Sequence, residues 1–339
     1  MVYTFELIKH ANIRYRDSLC LLARFELSLM LRSLSVSAEI WEEWIGGAHF
    51  LVFECRELSE NELEYLSCHS AVVFLAQKHG DLLRPLNIRA VPYLPDDLPE
   101  VLKYKGKTSV TFTRMMINSA VALSSFDPAD KSLLLFDPLC GKGTSCFCAL
   151  TSGMNAIGLD INNKEIKEAA DYFSKYLQYH RLKHTVLRHS ETVGKETLPL
   201  IEFSFSNTKE RFQQGDRKYL TLSCADSGFS YGLFRHRSAN ILVTDLPYGI
   251  QHAASSDHHP DSLLGFLHRV LPVWKKTLSP GGAIAMSFNT LTLPTSAVRN
   301  ELLKAGFLIP APEGFTVLRH EVEQAVVRDV VFALNTKEE

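Results

Sequence analysis

Leu133-Leu134-Leu135-Phe136 runs without a break into Asp137-Pro138-Leu139-Cys140-Gly141-Lys142-Gly143-Thr144. A short apolar run ended by an acid, a proline and two closely spaced glycines reads as a buried strand handing over to a tight turn that opens a helix. Glycine has a physical reason to be there. A Cβ at Gly141 or Gly143 would hold a ligand away from the backbone, and the first N–H groups of the helix have no partner within it. An anionic group suits that spot. Turns of this kind also join strands to helices that bind nothing, so the glycine pair alone does not decide the matter.

The downstream sequence repeats the alternation. A helix over 113–123 precedes the strand 133–136; then come helix 144–151, strand 155–159, helix 164–182, strands 219–224 and 239–244, and helix 261–278. The turn Ser279-Pro280-Gly281-Gly282 leads to strand 283–288, helix 295–305 and a closing strand pair near 315–318 and 326–334. Strands alternating with helices imply a parallel sheet with right-handed crossovers, here ended by two antiparallel strands. Residues 183–218 break the alternation, and Glu202-Phe203-Ser204-Phe205-Ser206 within them suggests a hairpin-like insertion.

The first part of the chain has a different rhythm: strand 2–9, helix 15–34, strands 37–44 and 48–55 around Gly46-Gly47, and a helix over 59–79 introduced by Ser59 with Glu62 three residues on. Pro85, Pro92, Pro95 and Pro99 then punctuate a linker expected to lie along the next unit. The expected organisation is an N-terminal α+β unit over 1–84, a linker over 85–104 and an α/β unit over 105–339 carrying the insertion. A chain of 339 residues is long enough for two cores.

Bulk charge favours no partner, because 36 Lys and Arg nearly balance 38 Asp and Glu; a nucleic acid would have to be met by local patches. Candidate patches are Lys103, Lys105, Lys107 and Arg114; Arg181, Lys183 and Arg188; and Arg235 and Arg237. Each also reads as an ordinary solvated face. Seven cysteines without a CxxC pair indicate reduced thiols and a cytoplasmic protein. Cys146 and Cys148 lack histidines at ligand spacing, and His252, His258 and His259 read as loop residues, so no metal is expected. The start of the chain lacks the pattern of a secretory leader, and no apolar run reaches membrane-spanning length.

Two groups of residues carry chemistry. Around the glycine turn, Asp160 ends the second strand 23 residues after Asp137, where a carboxylate can accept from ribose hydroxyls, with Ile161 beside it. Nicotinamide cofactors use the same crevice, although Cys146 stands where a full G-x-G-x-x-G would need glycine. Asp226, reached through Ala225, is placed by topology to meet an adenine amine or else to cap a turn. Thr111 and Thr113, on either side of Phe112, precede a helix beside the first strand, where the two hydroxyls could meet the far end of the same ligand or Thr113 could simply cap. The second group is Asp245-Leu246-Pro247-Tyr248-Gly249, after the apolar Ile241-Leu242-Val243. A carboxylate and the Leu246 carbonyl can accept from a planar amine, Pro247 stiffens the turn and Tyr248 offers a ring for stacking. The bland alternative is a strand-ending turn.

These two segments are similar to the DPFCGTGT-like and DPPYG- or DLPFG-like motifs of the tRNA guanine-N2 methyltransferases related to the THUMP-containing family. Phe112-Thr113-Arg114, before a helix with Asn118 and Ala120, resembles that family's segment ahead of the first motif. The resemblance covers about 105–335. It implies a Rossmann-like class I methyltransferase fold with a seven-stranded, mostly parallel sheet, preceded by a small ferredoxin-like unit. It also implies S-adenosylmethionine as cofactor and a guanine amine in RNA, most of all tRNA, as acceptor. By that likeness Asp137, Pro138, Cys140, Gly141, Gly143, Thr144, Asp160, Ile161, Ala225 and Asp226 would hold the cofactor with Thr111, Phe112 and Thr113, while Asp245, Leu246, Pro247 and Tyr248 would form the catalytic turn. Leu246 and Lys142 depart from the more frequent Pro and Thr. A DNA adenine-N6 methyltransferase and a catalytically idle RNA-binding scaffold are the alternatives.

Overall fold

The computed structural model describes residues 1–9, 13–102, 107–234, 238–247, 262–310, 318–323 and 326–336. The first unit runs β1 (Val2–Leu7), α1 (Ile13–Ser33), β2 (Glu39–Ile45), β3 (Ala48–Glu54), α2 (Glu60–Leu66), β4 (Val72–His79) and β5 (Leu82–Pro85). Its sheet has the order β2-β3-β1-β4-β5, with every neighbouring pair antiparallel. Ser59 and Glu62 form the expected capping box, but the helix they open ends at Leu66. The remainder of the expected 59–79 helix is β4, because Val72-Val73-Phe74-Leu75 is a β-branched and aromatic run that finds a free edge on β1.

Helix α1 is buried on nearly every side from Leu19 to Leu31, as a helix between two layers must be. Its Phe25 ring lies 5.4 Å from Phe332 of the second unit. Glu26, fully buried, takes hydrogen bonds from Asn118 Nδ2 (2.7 Å), the Ser70 N–H (2.8 Å) and the Ser70 hydroxyl. A buried carboxylate needs such partners, and here they come from both units. One apolar cluster accordingly runs from Tyr3 and Phe5 through Met115 and Phe147 to Leu222. The proline segment is strapped down: the Tyr93 N–H donates to the Thr151 carbonyl at 2.8 Å, Leu94 and Leu98 are fully buried, and α3 (Leu98–Val101) closes it.

The second unit continues with α4 (Val110–Leu123), β6 (Leu134–Asp137), α5 (Thr144–Thr151), β7 (Asn155–Asp160), α6 (Asn163–Tyr179), β8 (His184–Val193), β9 (Glu196–Phe205), α7 (Lys209–Gln213) and β10 (Lys218–Cys224). After a 3-10 turn at Ser227–Phe229 come α8 (Ser230–Phe234), β11 (Ala239–Asp245), α9 (Leu263–Thr277), β12 (Leu278–Asn289), α10 (Thr295–Lys304), β13 (His320–Glu323) and β14 (Val326–Leu334). The sheet order is β13-β14-β12-β11-β6-β7-β10-β9-β8. Strands β10, β7, β6, β11 and β12 are mutually parallel, and β14 and β13 return antiparallel on one side. This is a Rossmann-like sheet. Among the described residues nine strands stand where seven were expected, because the inserted hairpin β8–β9 extends the other edge antiparallel to β10. The order reverses between β6 and β11, which opens a crevice at their carboxyl ends.

Candidate active site

At the carboxyl end of β6, Asp137 organises the glycine turn from inside. Its Oδ1 accepts the Leu139 N–H at 3.0 Å and its Oδ2 the Ser145 hydroxyl. Burial pushes its carboxyl up to about 7, against the pull of those two bonds. Gly141 and Gly143 have φ of +51° and +85°, so both occupy the left-handed region that glycine alone enters cheaply. A Cβ on Gly141 would come within 2.9 Å of the Glu165 carboxylate, and one on Gly143 within 3.3 Å of the Phe147 ring.

Asp160 laces three strand ends together. Its carboxylate accepts the Gly141 N–H and the Asn162 N–H, each at 2.8 Å, and its carbonyl accepts the Ala225 N–H at 3.0 Å. Both carboxylate oxygens thus take part in holding the turn, Oδ2 at Gly141 and Oδ1 at Asn162. Beside it Ile161 is 64 % exposed, an aliphatic face presented at the crevice. The expected cofactor residues therefore divide. Gly141, Asp160 and Ile161 reach the surface, whereas Pro138, Cys140, Thr144 and Ala225 are buried behind them. Asp226 lies at the same edge, but its side chain accepts the Gly228 N–H at 2.7 Å and forms a two-pronged pair with Arg269 (3.0 and 3.1 Å). An adenine amine would have to share that carboxylate.

Thr111, Phe112 and Thr113 do not precede the helix as expected. Ser109 is its N-cap, so α4 starts at Val110 and these three form its first turn. Phe112 is turned fully into the core, Thr113 returns its hydroxyl to the Ser109 carbonyl at 3.0 Å, and Thr111 alone of the three is half-buried.

Asp245 ends β11 directly across from Ser287 of β12. The Ser287 hydroxyl donates to its Oδ1 and the Thr108 hydroxyl to its Oδ2. Arg328 Nη2, from β14, lies 3.4 Å from the same Oδ2. Arg328 is itself 4 % exposed, with its guanidinium carbon 4.7 Å from the centre of the Phe112 ring. The buried imidazole of His320 also leans on Phe112, 5.1 Å away, and donates from Nδ1 to the Leu318 carbonyl at 2.9 Å. Burial brings its ring down to about 4. Leu246 is buried and its N–H binds the Ser287 carbonyl at 2.8 Å, which anchors the turn; Pro247 is half-buried. Tyr248 lies outside the described residues, as do Lys103, Lys105, Arg235, Arg237, His252, His258 and His259.

Because β6, β7, β10 and β11 are parallel, the glycine turn, Asp160, Asp226 and the Asp245 turn all stand at one edge of the sheet. Sequence reading did not find Thr108, Ser287, Arg328, His320 or Arg269. Ser287 carried a signal, since it is a polar residue near the carboxyl end of the apolar strand β12, whereas Arg328 lies within an apolar terminal strand that no motif marks. Two basic residues proposed for phosphate serve the protein instead: Arg114 pairs with Asp96 at 2.7 Å, and Lys107 reaches the Glu100 carbonyl at 3.4 Å. Arg181, Lys183 and Arg188 are exposed where α6 meets the hairpin.

No family model matches the chain, and no curated protein sequence is similar to it. Solved structures of methyltransferases are. TrmN from Thermus thermophilus shares 14 % identity over 88 % of this chain with a TM-score of 0.42. The Thermus thermophilus 16S rRNA N2 G1207 methyltransferase RsmC, in complex with AdoMet and guanosine, shares 12 % over 88 % with a TM-score of 0.37. Precorrin-6y C5,15-methyltransferase from Geobacter metallireducens shares 15 % over 72 %, covers 97 % of that chain and has a TM-score of 0.39. This chain spans 59 % of the length of TrmN and 51 % of that of RsmC. Likeness at this level adds nothing to what the strand order already establishes.

Proposed function

We propose that the protein is an S-adenosylmethionine-dependent methyltransferase whose acceptor is the exocyclic amine of a guanine in RNA, with tRNA as the leading substrate. The observation that carries the reading is the shared edge: a left-handed glycine turn tied to a ribose-type acid, beside a strand-ending Asp-Leu-Pro turn. The residues present fit the cofactor. The turn's two left-handed glycines place backbone at the edge of the crevice, Asp160 sets a carboxylate beside it where ribose hydroxyls could donate, and Ile161 offers an apolar face for adenine. When bound, the cofactor supplies an electrophilic methyl group.

An amine on a nucleobase is a weak nucleophile because its lone pair is delocalised into the ring. Asp245 and the Leu246 carbonyl would accept its two N–H bonds and hold the nitrogen pyramidal, its lone pair turned towards the donor side. Thr108, Ser287 and Arg328 hold Asp245 in one orientation, so little reorganisation accompanies the reaction. That arrangement makes Asp245 an orienting acceptor, and the proton released after transfer leaves for solvent. Holding the two reactants together would lower the barrier most, by about 7–11 kcal/mol in well-oriented systems. A base stacked in a helix cannot enter the crevice, so the target nucleotide is unpaired or flipped out. We assign RNA docking to the N-terminal unit, which we read as ferredoxin-like from its β2-β3-β1-β4 order, and to Arg181, Lys183 and Arg188.

Incubation with labelled S-adenosylmethionine and total tRNA, ribosomal RNA or DNA, followed by nucleoside analysis, tests this directly. N2-methylguanosine from RNA is the expected product. N6-methyl-2′-deoxyadenosine from DNA would move the acceptor assignment, and absence of cofactor binding by calorimetry would leave an idle scaffold.

A further inference from the structure

We propose that Cys20, Glu42 and His49 form a binding site for a divalent transition metal ion with the chemistry of zinc. The three residues come from α1, β2 and β3, and their sulfur, oxygen and nitrogen donors all lie within 4.8 Å of one another. His49 Nε2 is 3.1 Å from Glu42 Oε2. A tetrahedral ion with bonds of 2.0 to 2.3 Å sets its ligands roughly 3.3–3.7 Å apart, so the cluster needs only a small contraction to close on one.

The backbone aims the ligands. Trp44 pairs with His49 and Glu42 with Leu51 across the β2–β3 ladder, so Glu42, Trp44 and His49 share the face on which Leu51 packs into the core with α1. The Trp44 indole stacks on the His49 ring, centroids 4.5 Å apart and planes 2° from parallel, which fixes the imidazole in place. Cys20 points into this corner from the helix and is 7 % exposed, whereas the Glu42 and His49 side chains are 48 % and 24 % exposed. An ion can therefore enter from solvent, and water can complete the shell beside three protein ligands.

Ligand chemistry selects the ion. One sulfur, one imidazole and one carboxylate suit zinc, or cobalt in its place, while calcium and magnesium take all-oxygen sets. Without the sulfur, Glu42 and His49 would be an exposed cross-strand pair of small worth. Spacing along the chain could not expose the site, because its members meet only when the hairpin folds over α1. Once bound, the ion would tie the β2–β3 hairpin to the helix that joins the two units.

The test uses the full chain freed of metal with a chelator, titrated with Zn²⁺ by calorimetry and with Co²⁺ by absorbance. The expected result is one ion per chain, a thiolate-to-cobalt charge-transfer band and a higher melting temperature with Zn²⁺. Cys20→Ser abolishes the band. His49→Ala, at a residue outside the apolar core, weakens Zn²⁺ by more than the ~10- to 100-fold that loss of a supporting residue costs. Cys68→Ser, at an exposed thiol just beyond α2, leaves binding and band unchanged. Absence of stoichiometric binding overturns the proposal. So does binding that survives both Cys20→Ser and His49→Ala.

Discussion

Arg328→Met isolates the contact that most distinguishes the acceptor site from an ordinary strand-ending turn. The substitution keeps most of the apolar volume over Phe112 and removes the charge. Taking one partner from a buried ion pair costs about 3–5 kcal/mol when the other charge is stranded. Asp245 is not stranded: its side chain is 21 % exposed, and the hydroxyls of Ser287 and Thr108 remain. The contact to Arg328 is also long, at 3.4 Å. The expected loss is therefore smaller, about 2 kcal/mol, including a cation–π share of roughly 0.5–1 kcal/mol. Urea unfolding should show a lower midpoint at unchanged slope. If Arg328 acts on transfer by holding Asp245, single-turnover methylation should slow by about 10- to 100-fold, the equivalent of roughly 1.4–2.7 kcal/mol, with cofactor affinity unchanged. Arg328→Lys should recover part of the rate. Asp245→Asn combined with Arg328→Met should be little slower than Asp245→Asn alone, since neighbours that work together are non-additive. Rates that multiply independently, or an Arg328→Met enzyme at full speed, would refute the reasoning.

Other consequences follow from burial and from glycine. Asp137, raised from 3.8 to about 7, binds more protons folded than unfolded, so its contribution to stability falls as pH rises from about 4 to 7. His320, lowered from 6.5 to about 4, has the opposite sign, and its contribution is lost as pH falls through that window. The two oppose each other, and single variants should unmask them: relative to wild type, Asp137→Asn gains stability with rising pH, while His320→Gln gains it with falling pH, each by at most about 1.4 kcal/mol per unit. A flat difference in urea titrations at several pH values would exclude these assignments. Gly158→Ala would press a methyl group to 2.7 Å from Cys140 Sγ and 3.0 Å from Cys146 Sγ; it should cost about 1–3 kcal/mol and weaken cofactor binding by shifting the turn, which calorimetry would read. Gly141→Ala, strained at φ +51° and pressed to 2.9 Å from the Glu165 carboxylate, should lower stability by about 1–2 kcal/mol and weaken cofactor binding by roughly tenfold, about 1.4 kcal/mol.

The α/β alternation was legible because helix and strand periods differ, and α5 begins and ends where the sequence places it, at Thr144 and Thr151. The 59–79 helix went wrong for a reason of the same kind. A capping box marks a start, not a length, and nothing local in Val72-Val73-Phe74 reveals the open edge of β1 that draws it into a sheet. At the candidate site, residues that make the turn were readable from glycine and acid spacing. Residues that hold Asp245 were not. Thr108, Ser287 and Arg328 come from a loop and two other strands, and only the parallel register of β11 with β12 and the antiparallel return of β14 bring them together. Phe112 shows the converse: a helix that starts three residues earlier than expected turns a proposed ligand contact into a core ring.

If one edge of this sheet holds a methyl donor and orients a nucleobase amine through Asp245, the most direct measurement is methyl transfer from labelled S-adenosylmethionine to RNA. It compares the wild-type protein with Asp245→Ala, with cofactor affinity measured in both. Wild type should yield N2-methylguanosine, and Asp245→Ala should bind the cofactor equally well and transfer at least about 10²-fold more slowly. Full-rate transfer by Asp245→Ala, or a wild-type protein that binds the cofactor and methylates no nucleobase amine, would contradict the account.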